Sequence, residues 1–302
     1  MSTGEAPGGA VTVSVIVPSR NAAGTLADQL AALCAQTYTG SWEVVVVDHA
    51  STDATAQVAQ AWADRLPVRV VQADAGGGVS RSRNVGIAHA RGTLLLFCDS
   101  DDLVDPRWVD EMVRALDEFD LVGGTLVSFA ENARVYEWHG TIPGQQSDNA
   151  LLAVGDRFSF RGANMAMRAA AIGTLRFPEW YTWPGGEEVD FCLRAQLAGA
   201  RLGAAPAALV NYRLRSSFLG MLRQHFWWGF ARGCLKADYP SFFPRSTRRR
   251  RRKVRRGAVA LRNLVLPRRS GDRRAAPRQL AMLTGQACGA VRFRRRFRTA
   301  TR

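Results

Sequence analysis

The chain is most informative first in what it lacks. Its five cysteines, Cys34, Cys98, Cys192, Cys234 and Cys288, are odd in number, widely spaced and contain no Cys-x-x-Cys pair, which excludes a disulfide framework or a zinc-finger spacing. No window approaches the ~18 unbroken apolar residues that a membrane span needs. The first ten residues are small and polar, with Glu5 and no basic residue, so a secretory leader is not expected there, and the reading is of a disordered N-terminus in a cytoplasmic protein. The loop after the first predicted strand, Pro18-Ser19-Arg20-Asn21, has no Gly-x-Gly-x-x-Gly, so it lacks the backbone clearance that dinucleotide binders use. Acid is nearly absent from one region alone: residues 245–302 hold 21 Arg or Lys against a single Asp272, while residues 1–244 are mildly acidic. The net charge of +15 therefore belongs to the tail and says little about the body.

What is present is a chain of 302 residues, 47% hydrophobic, long enough to bury a large core. Gly92 to Asp102 holds its most telling stretch. Leu94 to Cys98 is an uncharged run of five, too short for a helix and suited to a strand buried on both faces, and it ends in Asp99-Ser100-Asp101-Asp102. Ligands collect at the carboxyl edge of an open α/β sheet. Alternation along an extended segment puts Asp99 and Asp101 on one side and sends Asp102 elsewhere. Asp-x-Asp at such an edge suits a hard cation, Mg²⁺ or Mn²⁺, held by carboxylates and substrate phosphates. Acids also serve as helix caps, the competing use of the same residues.

The remaining pattern alternates strands and helices. Val11 to Val17, Trp42 to Asp48, Val68 to Val71 and Leu94 to Cys98 read as strands of a parallel sheet, with helices after Leu26, through Trp62, from Ser80 to Ala90 and from Trp108 to Leu116. Beyond Asp120 the expectation is of strands at Leu121 to Phe129, Arg134 to Trp138, Gly162 to Met167 and Leu209 to Leu214. An aromatic loop, Trp180 to Trp183, runs into a helix that opens at Glu187-Glu188-Val189-Asp190 and stops at Gly199. The fold class is α/β: a Rossmann-like sheet flanked by helices over residues 11–240, divided at about 120, followed by a basic helical or disordered tail at 241–302.

Four stretches in order resemble the family 2 glycosyltransferases, which have the GT-A fold: Val15 to Asn21; Val46 to Asp53; Arg83-Asn84-Val85-Gly86-Ile87 leading to Phe97 to Asp102; and Gly186 to Asp190 with Arg194. The resemblance covers roughly residues 11–235. It implies transfer of a sugar from a nucleotide-diphosphate-sugar donor to an acceptor hydroxyl, metal-dependent and inverting, on a sugar, lipid-linked or cell-envelope acceptor. Pro18, Asn21 and Asp48 would then line the base pocket beside Asp53, Arg83 would meet the diphosphate, Asp99 would sit near ribose and metal, Asp101 would be the main metal ligand, and Glu188 would be the general base. Three positions depart from the common pattern: His49-Ala50 for Asp-Gly, Ser82 for Ala, and Glu188 for Asp. A carboxylate that takes the acceptor proton has a chemical rationale of its own, because a sugar hydroxyl is a poor nucleophile. Trp180, Tyr181 and Trp183 read either as a platform for an acceptor sugar or as packing, and His225 either as a phosphate or metal neighbour or as a structural histidine. Arg245 to Arg256 carries nine basic residues, and short apolar pieces such as Leu264 to Leu266 follow, a mixture suited to an anionic inner membrane face. Two rival readings are a nucleotidyltransferase of related fold, for which the Gly-rich basic loop after the first strand is missing, and a nucleic-acid binder acting through the tail.

Overall fold

A computed structural model of the chain describes residues 11–146, 151–243, 258–263 and 270–300. The Arg245 to Arg256 run, Leu264 to Leu266 and the first ten residues lie outside the described residues. In chain order the first half is β1 Val13–Ser19, α1 Leu26–Cys34, β2 Trp42–His49, α2 Thr55–Gln60, β3 Val68–Ala73, α3 Gly78–His89, β4 Leu94–Cys98, β5 Leu103–Val104, α4 Trp108–Leu116 and β6 Leu121–Phe129. The second half is α5 Ala133–His139, β7 Leu152–Val154, β8 Arg157–Ser159, β9 Asn164–Arg168, α6 Ala169–Ile172, α7 Glu187–Leu197, β10 Leu202–Arg213, α8 Phe218–Asp238, a short helix α9 at 258–263, and α10 Ser270–Ala300.

Eight strands make one sheet in the order β3-β2-β1-β4-β9-β6-β10-β5, and β7 pairs with β8 apart from it. β3, β2, β1 and β4 are mutually parallel, as their alternation with helices requires. β9 then inserts antiparallel between β4 and β6. The central strands are apolar on both faces because both are covered. Val13, Val15, Val17, Val44, Val46, Leu94, Leu96 and Cys98 pack with Leu26, Leu30 and Leu33 of α1 and Trp108, Val109 and Met112 of α4. Ile16, Val45, Val47, Leu95, Phe97, Met165 and Met167 pack on the other side with Phe177 and with Phe191 and Cys192 of α7. Each strand's period of two thus feeds two cores.

One polar residue organises the join between the sheet halves. Asn164, fully buried at the start of β9, accepts from Trp108 Nε1 at 2.8 Å and donates to the carbonyls of Thr125 and Ala208 at 2.9 Å each. A buried amide so satisfied is stabilising, and its removal leaves three groups without partners.

One expected element is corrected. Arg134 to Trp138 is not a strand but lies in α5: the Asn132 side chain caps it by accepting from the Arg134 N–H at 2.9 Å, and Gly140 closes it at φ +63°. The alternating Arg-Val-Tyr-Glu-Trp sequence imitates a strand, but the two end signals decide the matter. Of the two alternatives for the basic tail, helical or disordered, Ser270–Ala300 takes the helical one, with Pro277 inside it.

α8 and α10 pack at backbone contact. A Cβ at Gly229 or Gly233 of α8 would collide with the Met282 and Gln286 carbonyl oxygens, and one at Gly285 or Gly289 of α10 with those of Phe226 and Phe230. Two Gly-x-x-x-Gly pairs face each other, so neither helix leaves room for a methyl group. Among the described residues no helix is long and apolar enough to cross a membrane.

Candidate active site at the carboxyl edge of the sheet

β1, β2 and β4 end side by side, with Ser19 opposite Asp48 and Ile16 opposite Phe97, so the loops that follow them share one edge. The loops after β1 and β2 are tied together. Asn21, at φ +49°, accepts on Oδ1 from the Thr52 N–H at 2.8 Å and gives its own N–H to Ser51 Oγ at 3.0 Å. Asp53 accepts from the Ala23 N–H at 3.1 Å and from the Thr55 hydroxyl at 2.5 Å, and these bonds lower its pKa, the Thr55 hydroxyl most. Asp48 is buried and accepts from the Ser51 N–H at 3.2 Å. Pro18 lies one residue before the end of β1, opposite Val47. Pro18, Asn21, Asp48 and Asp53 are therefore neighbours along one rim. Beside them His49 Nε2 is buried with no hydrogen-bond partner.

The Asp cluster follows from where β4 stops. Extended backbone ends at Cys98 and residues 99–102 turn, so the alternation that would have sent Asp102 away no longer applies. Asp99, Asp101 and Asp102 converge instead, each with a carboxylate oxygen within 4.8 Å of the others. Asp102 is buried; its Oδ1 accepts from the Arg213 N–H at 2.7 Å, and its Oδ2 has no partner. Burial pushes its carboxyl well up, with the Asp99 and Asp101 charges adding to the effect. Burial likewise pushes Asp99 up to about 6, against the pull of Arg83. Three carboxylates, one with an unsatisfied buried oxygen, form a hard, oxygen-only donor set and fit a divalent cation of the Mg²⁺ or Mn²⁺ type.

Arg83, projecting from α3, is 3% exposed, and its Nη1 donates to Glu187 Oε1 at 2.8 Å while Nη2 lies 3.8 Å from Asp99. Its guanidinium also faces the Phe177 ring at 5.3 Å. Burial disfavours the charge, but Glu187, Asp99 and Glu188 outweigh that and raise its pKa. A Cβ at Gly162 would strike this guanidinium, so glycine makes the space it occupies. Neighbouring Asn84 is held elsewhere, on the Phe177 carbonyl at 2.9 Å and Glu179 at 3.0 Å.

Glu187 and Glu188 sit at the start of α7. Gly186, just before them at φ +96°, adopts a turn that a side chain would strain, and its N–H donates to Glu188 Oε2 at 2.9 Å. Burial, followed by the nearby Glu187 charge, pushes Glu188 up to about 8, although Arg83 draws it down. The third acid of the turn, Asp190, is bound to Arg194 and to the Tyr239 hydroxyl at 2.6 Å and so braces the helix. The chain Glu188, Glu187, Arg83, Asp99, Asp101 is thus continuous across the sheet edge.

Three groups here add to the site residues expected from the sequence, and only Glu187 lies in a stretch that the sequence marks. Glu187 is the partner of Arg83. Arg213, at the end of β10, donates to the Asp101 carbonyl at 2.8 Å and to Glu131 and Asp28 at 2.7 and 3.2 Å. Arg215 Nη1 reaches Asp101 Oδ2 at 2.9 Å. The last two lie more than 110 residues from the aspartates of the cluster that they bind. Tyr181 and Trp183 are buried against Phe230, Ala231, Cys234 and Leu235 of α8, while Trp180 keeps part of its face exposed. His225 Nδ1 lies 2.9 Å from the Met221 carbonyl on its own helix, with its ring against Trp228 and near His139.

A family model described as glycosyl transferase family 2 matches residues 14–175, more than half of the chain. The succinoglycan biosynthesis protein ExoO of Rhizobium meliloti is 30% identical over 215 residues, 67% of this chain and 61% of that protein. Poly(ribitol-phosphate) beta-N-acetylglucosaminyltransferase TarS of Staphylococcus aureus is 36% identical over 107 residues, 35% of this chain and 19% of that protein. The chain thus spans less than two thirds of either relative's length. Among solved structures, mannosyltransferase PcManGT from Pyrobaculum calidifontis, in complex with GDP-Man and Mn2+, superposes with a TM-score of 0.61 at 20% identity, over 94% of this chain and 88% of that one. S. aureus TarS 1-349 in complex with UDP-GlcNAc gives 0.56 at 18%, over 96% and 92%. At those identities the likeness is one of fold. Sequence match and fold agree that this chain belongs to glycosyl transferase family 2, with the GT-A fold.

Proposed function

We propose that the chain is an inverting glycosyltransferase that moves a sugar from a nucleotide-diphosphate-sugar donor to an acceptor hydroxyl. The observation that carries this reading is the unbroken line of charge from Glu188 through Glu187 and Arg83 to the three aspartates at the sheet edge. Similar folds bind UDP-GlcNAc and GDP-Man, which supports a sugar nucleotide as donor. Pro18, Asn21, Asp48 and Asp53 line the nucleotide's base. Asp99, Asp101 and Asp102 would hold Mg²⁺ or Mn²⁺, which when bound offsets charge on the departing diphosphate. Arg83, fixed by Glu187, contributes positive charge on the same side without needing to reorient.

Glu188 takes the proton of the acceptor hydroxyl as the C–O bond forms. A base raised to about 8 is well matched to that task near neutral pH, provided a sufficient fraction is ionised. Displacement with the base and the leaving group on opposite sides of the sugar inverts the anomeric carbon. Trp180, part-exposed just before this helix, is placed to stack on an acceptor ring. The acceptor in this reading is a sugar hydroxyl or a lipid-linked or cell-envelope molecule. One similar protein is named for transfer of N-acetylglucosamine to poly(ribitol-phosphate), a polymer rich in hydroxyl groups. A cytoplasmic enzyme seated on the anionic inner face of a membrane fits this acceptor, with the 21 Arg or Lys of residues 245–302 supplying the positive charge.

Incubation with a panel of nucleotide-sugars and Mn²⁺ tests the reading. Release of nucleoside diphosphate from at least one donor, lost in Glu188→Gln while donor binding persists, is the expected result. Release that is unchanged in Glu188→Gln would remove the assigned base.

A further inference from the structure

Arg215 lies in the segment between β10 and α8, outside both elements. Its Nη1 donates to Asp101 Oδ2 at 2.9 Å, with the arginine side chain 47% and the aspartate 27% exposed. Its backbone is pinned, because its carbonyl meets His139 Nε2 at 3.2 Å. The neighbouring Arg213 behaves differently: its side chain is divided among the Asp101 carbonyl, Glu131 and Asp28, and its N–H is on Asp102, so it is a fixed strut. Arg215 holds the cluster by a single side-chain contact, Asp101, on a long and half-exposed stem. A guanidinium and a divalent cation on the same carboxylate repel each other, and each weakens the other's hold on it. A diphosphate, by contrast, offers the several anionic oxygens that the planar fork of a guanidinium can take two at a time, and so draws an arginine away from a single carboxylate oxygen.

We propose that Arg215 is a built-in counter-cation that occupies the Asp101 carboxylate in the absence of donor and leaves it when a nucleoside diphosphate arrives, so that metal and donor bind together. The inference rests on the reading of Asp99, Asp101 and Asp102 as the metal ligands. Arg215 thereby lowers the affinity for metal alone and increases the coupling between metal and nucleotide, and by linkage each raises the affinity of the other by the same factor. The benefit is that a site with three close carboxylates, one of them buried, keeps a positive charge at all times.

Titration of the full chain with Mn²⁺, followed by calorimetry and by the loss of the free-ion EPR signal, tests this without any turnover. Arg215→Ala and Arg215→Gln should each bind Mn²⁺ alone about three- to tenfold more tightly than the wild type, the scale set by a half-exposed ion pair plus the relieved like-charge repulsion. The enhancement of Mn²⁺ binding by UDP or GDP should shrink in both variants by the same factor, and Arg215→Lys should stay near the wild type. If both neutral variants bind Mn²⁺ no more tightly than the wild type while Asp101→Asn abolishes binding, the counter-cation role is overturned and the metal site stands. If no form binds Mn²⁺ even with nucleotide, the metal reading itself fails and the inference falls with it.

Discussion

Replacing Arg83 by Met tests how the site is held together. The guanidinium is almost fully buried between Glu187 at 2.8 Å and Asp99 at 3.8 Å, with Glu188 close enough to feel its charge. Methionine fills much of the same volume beside Phe177, so the loss is chiefly electrostatic: buried carboxylates are left without their cation. Breaking a buried pair by removing one partner costs about 3–5 kcal/mol, far more than the pair contributes net. For a chain of this size that is a fall in Tm of about 10 °C. The pH dependence fixes the cause. Asp99 and Glu188 are already raised to about 6 and about 8, and removing the Arg83 charge raises them further. A carboxyl whose folded pKa exceeds its unfolded value contributes stability that is complete below the unfolded pKa and lost as pH rises through the folded one. The deficit of the variant should therefore be largest near about pH 8 and narrow towards about pH 5, where these groups carry protons. Urea unfolding of both proteins at the two pH values measures it. Removing the orphaned acid too, in Arg83→Met with Glu187→Met, should recover part of the loss. A single variant less than about 1 kcal/mol below the wild type, or a deficit that does not change with pH, would refute the reasoning.

Further outcomes follow from the same contacts. Glu188→Gln should lower the transfer rate by about 10²- to 10⁴-fold, and the wild-type rate should rise with pH up to about 8, as the Glu188 proton is lost, and then level off; pH profiles of kcat for the two forms check both. Gly289→Ala, whose new methyl group meets the Phe230 carbonyl, should destabilise the α8–α10 pair by about 1–3 kcal/mol, read as earlier proteolytic cleavage of the C-terminal helix. Asn164→Ala should cost about 2–3 kcal/mol in denaturant unfolding, since Trp108 Nε1 and the Thr125 and Ala208 carbonyls lose their partner together.

Much of this arrangement was legible in the sequence wherever short-range patterns set it. Uncharged apolar runs ending in Asp48 and Asp99 announced buried parallel strands with acids at their carboxyl ends, and the shared edge of β1, β2 and β4 follows from that. The pattern failed where local signals conflict or where partners are distant. In Arg134 to Trp138 alternating polarity competed with an Asn cap and a glycine stop, and the caps prevailed. Asp102 was expected to point away because alternation was carried past Cys98, into residues that turn. Arg213 ends an ordinary strand and Arg215 follows it, and nothing within their own segment marks them as partners of acids brought near only by the sheet order. Glu187 was read with its neighbour as one acidic pair, although in three dimensions one member holds Arg83 while the other receives the Gly186 N–H. The antiparallel entry of β9, and Asn164 with it, is likewise a matter of topology rather than of propensity.

The most direct measurement is the thermal stability of wild type and Asp101→Asn against nucleotide-sugars, with Mn²⁺ and with the metal chelated. Binding to the native state alone raises stability, by about 2.7 kcal/mol at a hundredfold excess of ligand over Kd. The account predicts that at least one nucleotide-sugar stabilises the wild type in a metal-dependent way and that Asp101→Asn loses the metal-dependent part. An equal metal-dependent gain in Asp101→Asn, or no gain from any nucleotide-sugar in the wild type, would contradict it.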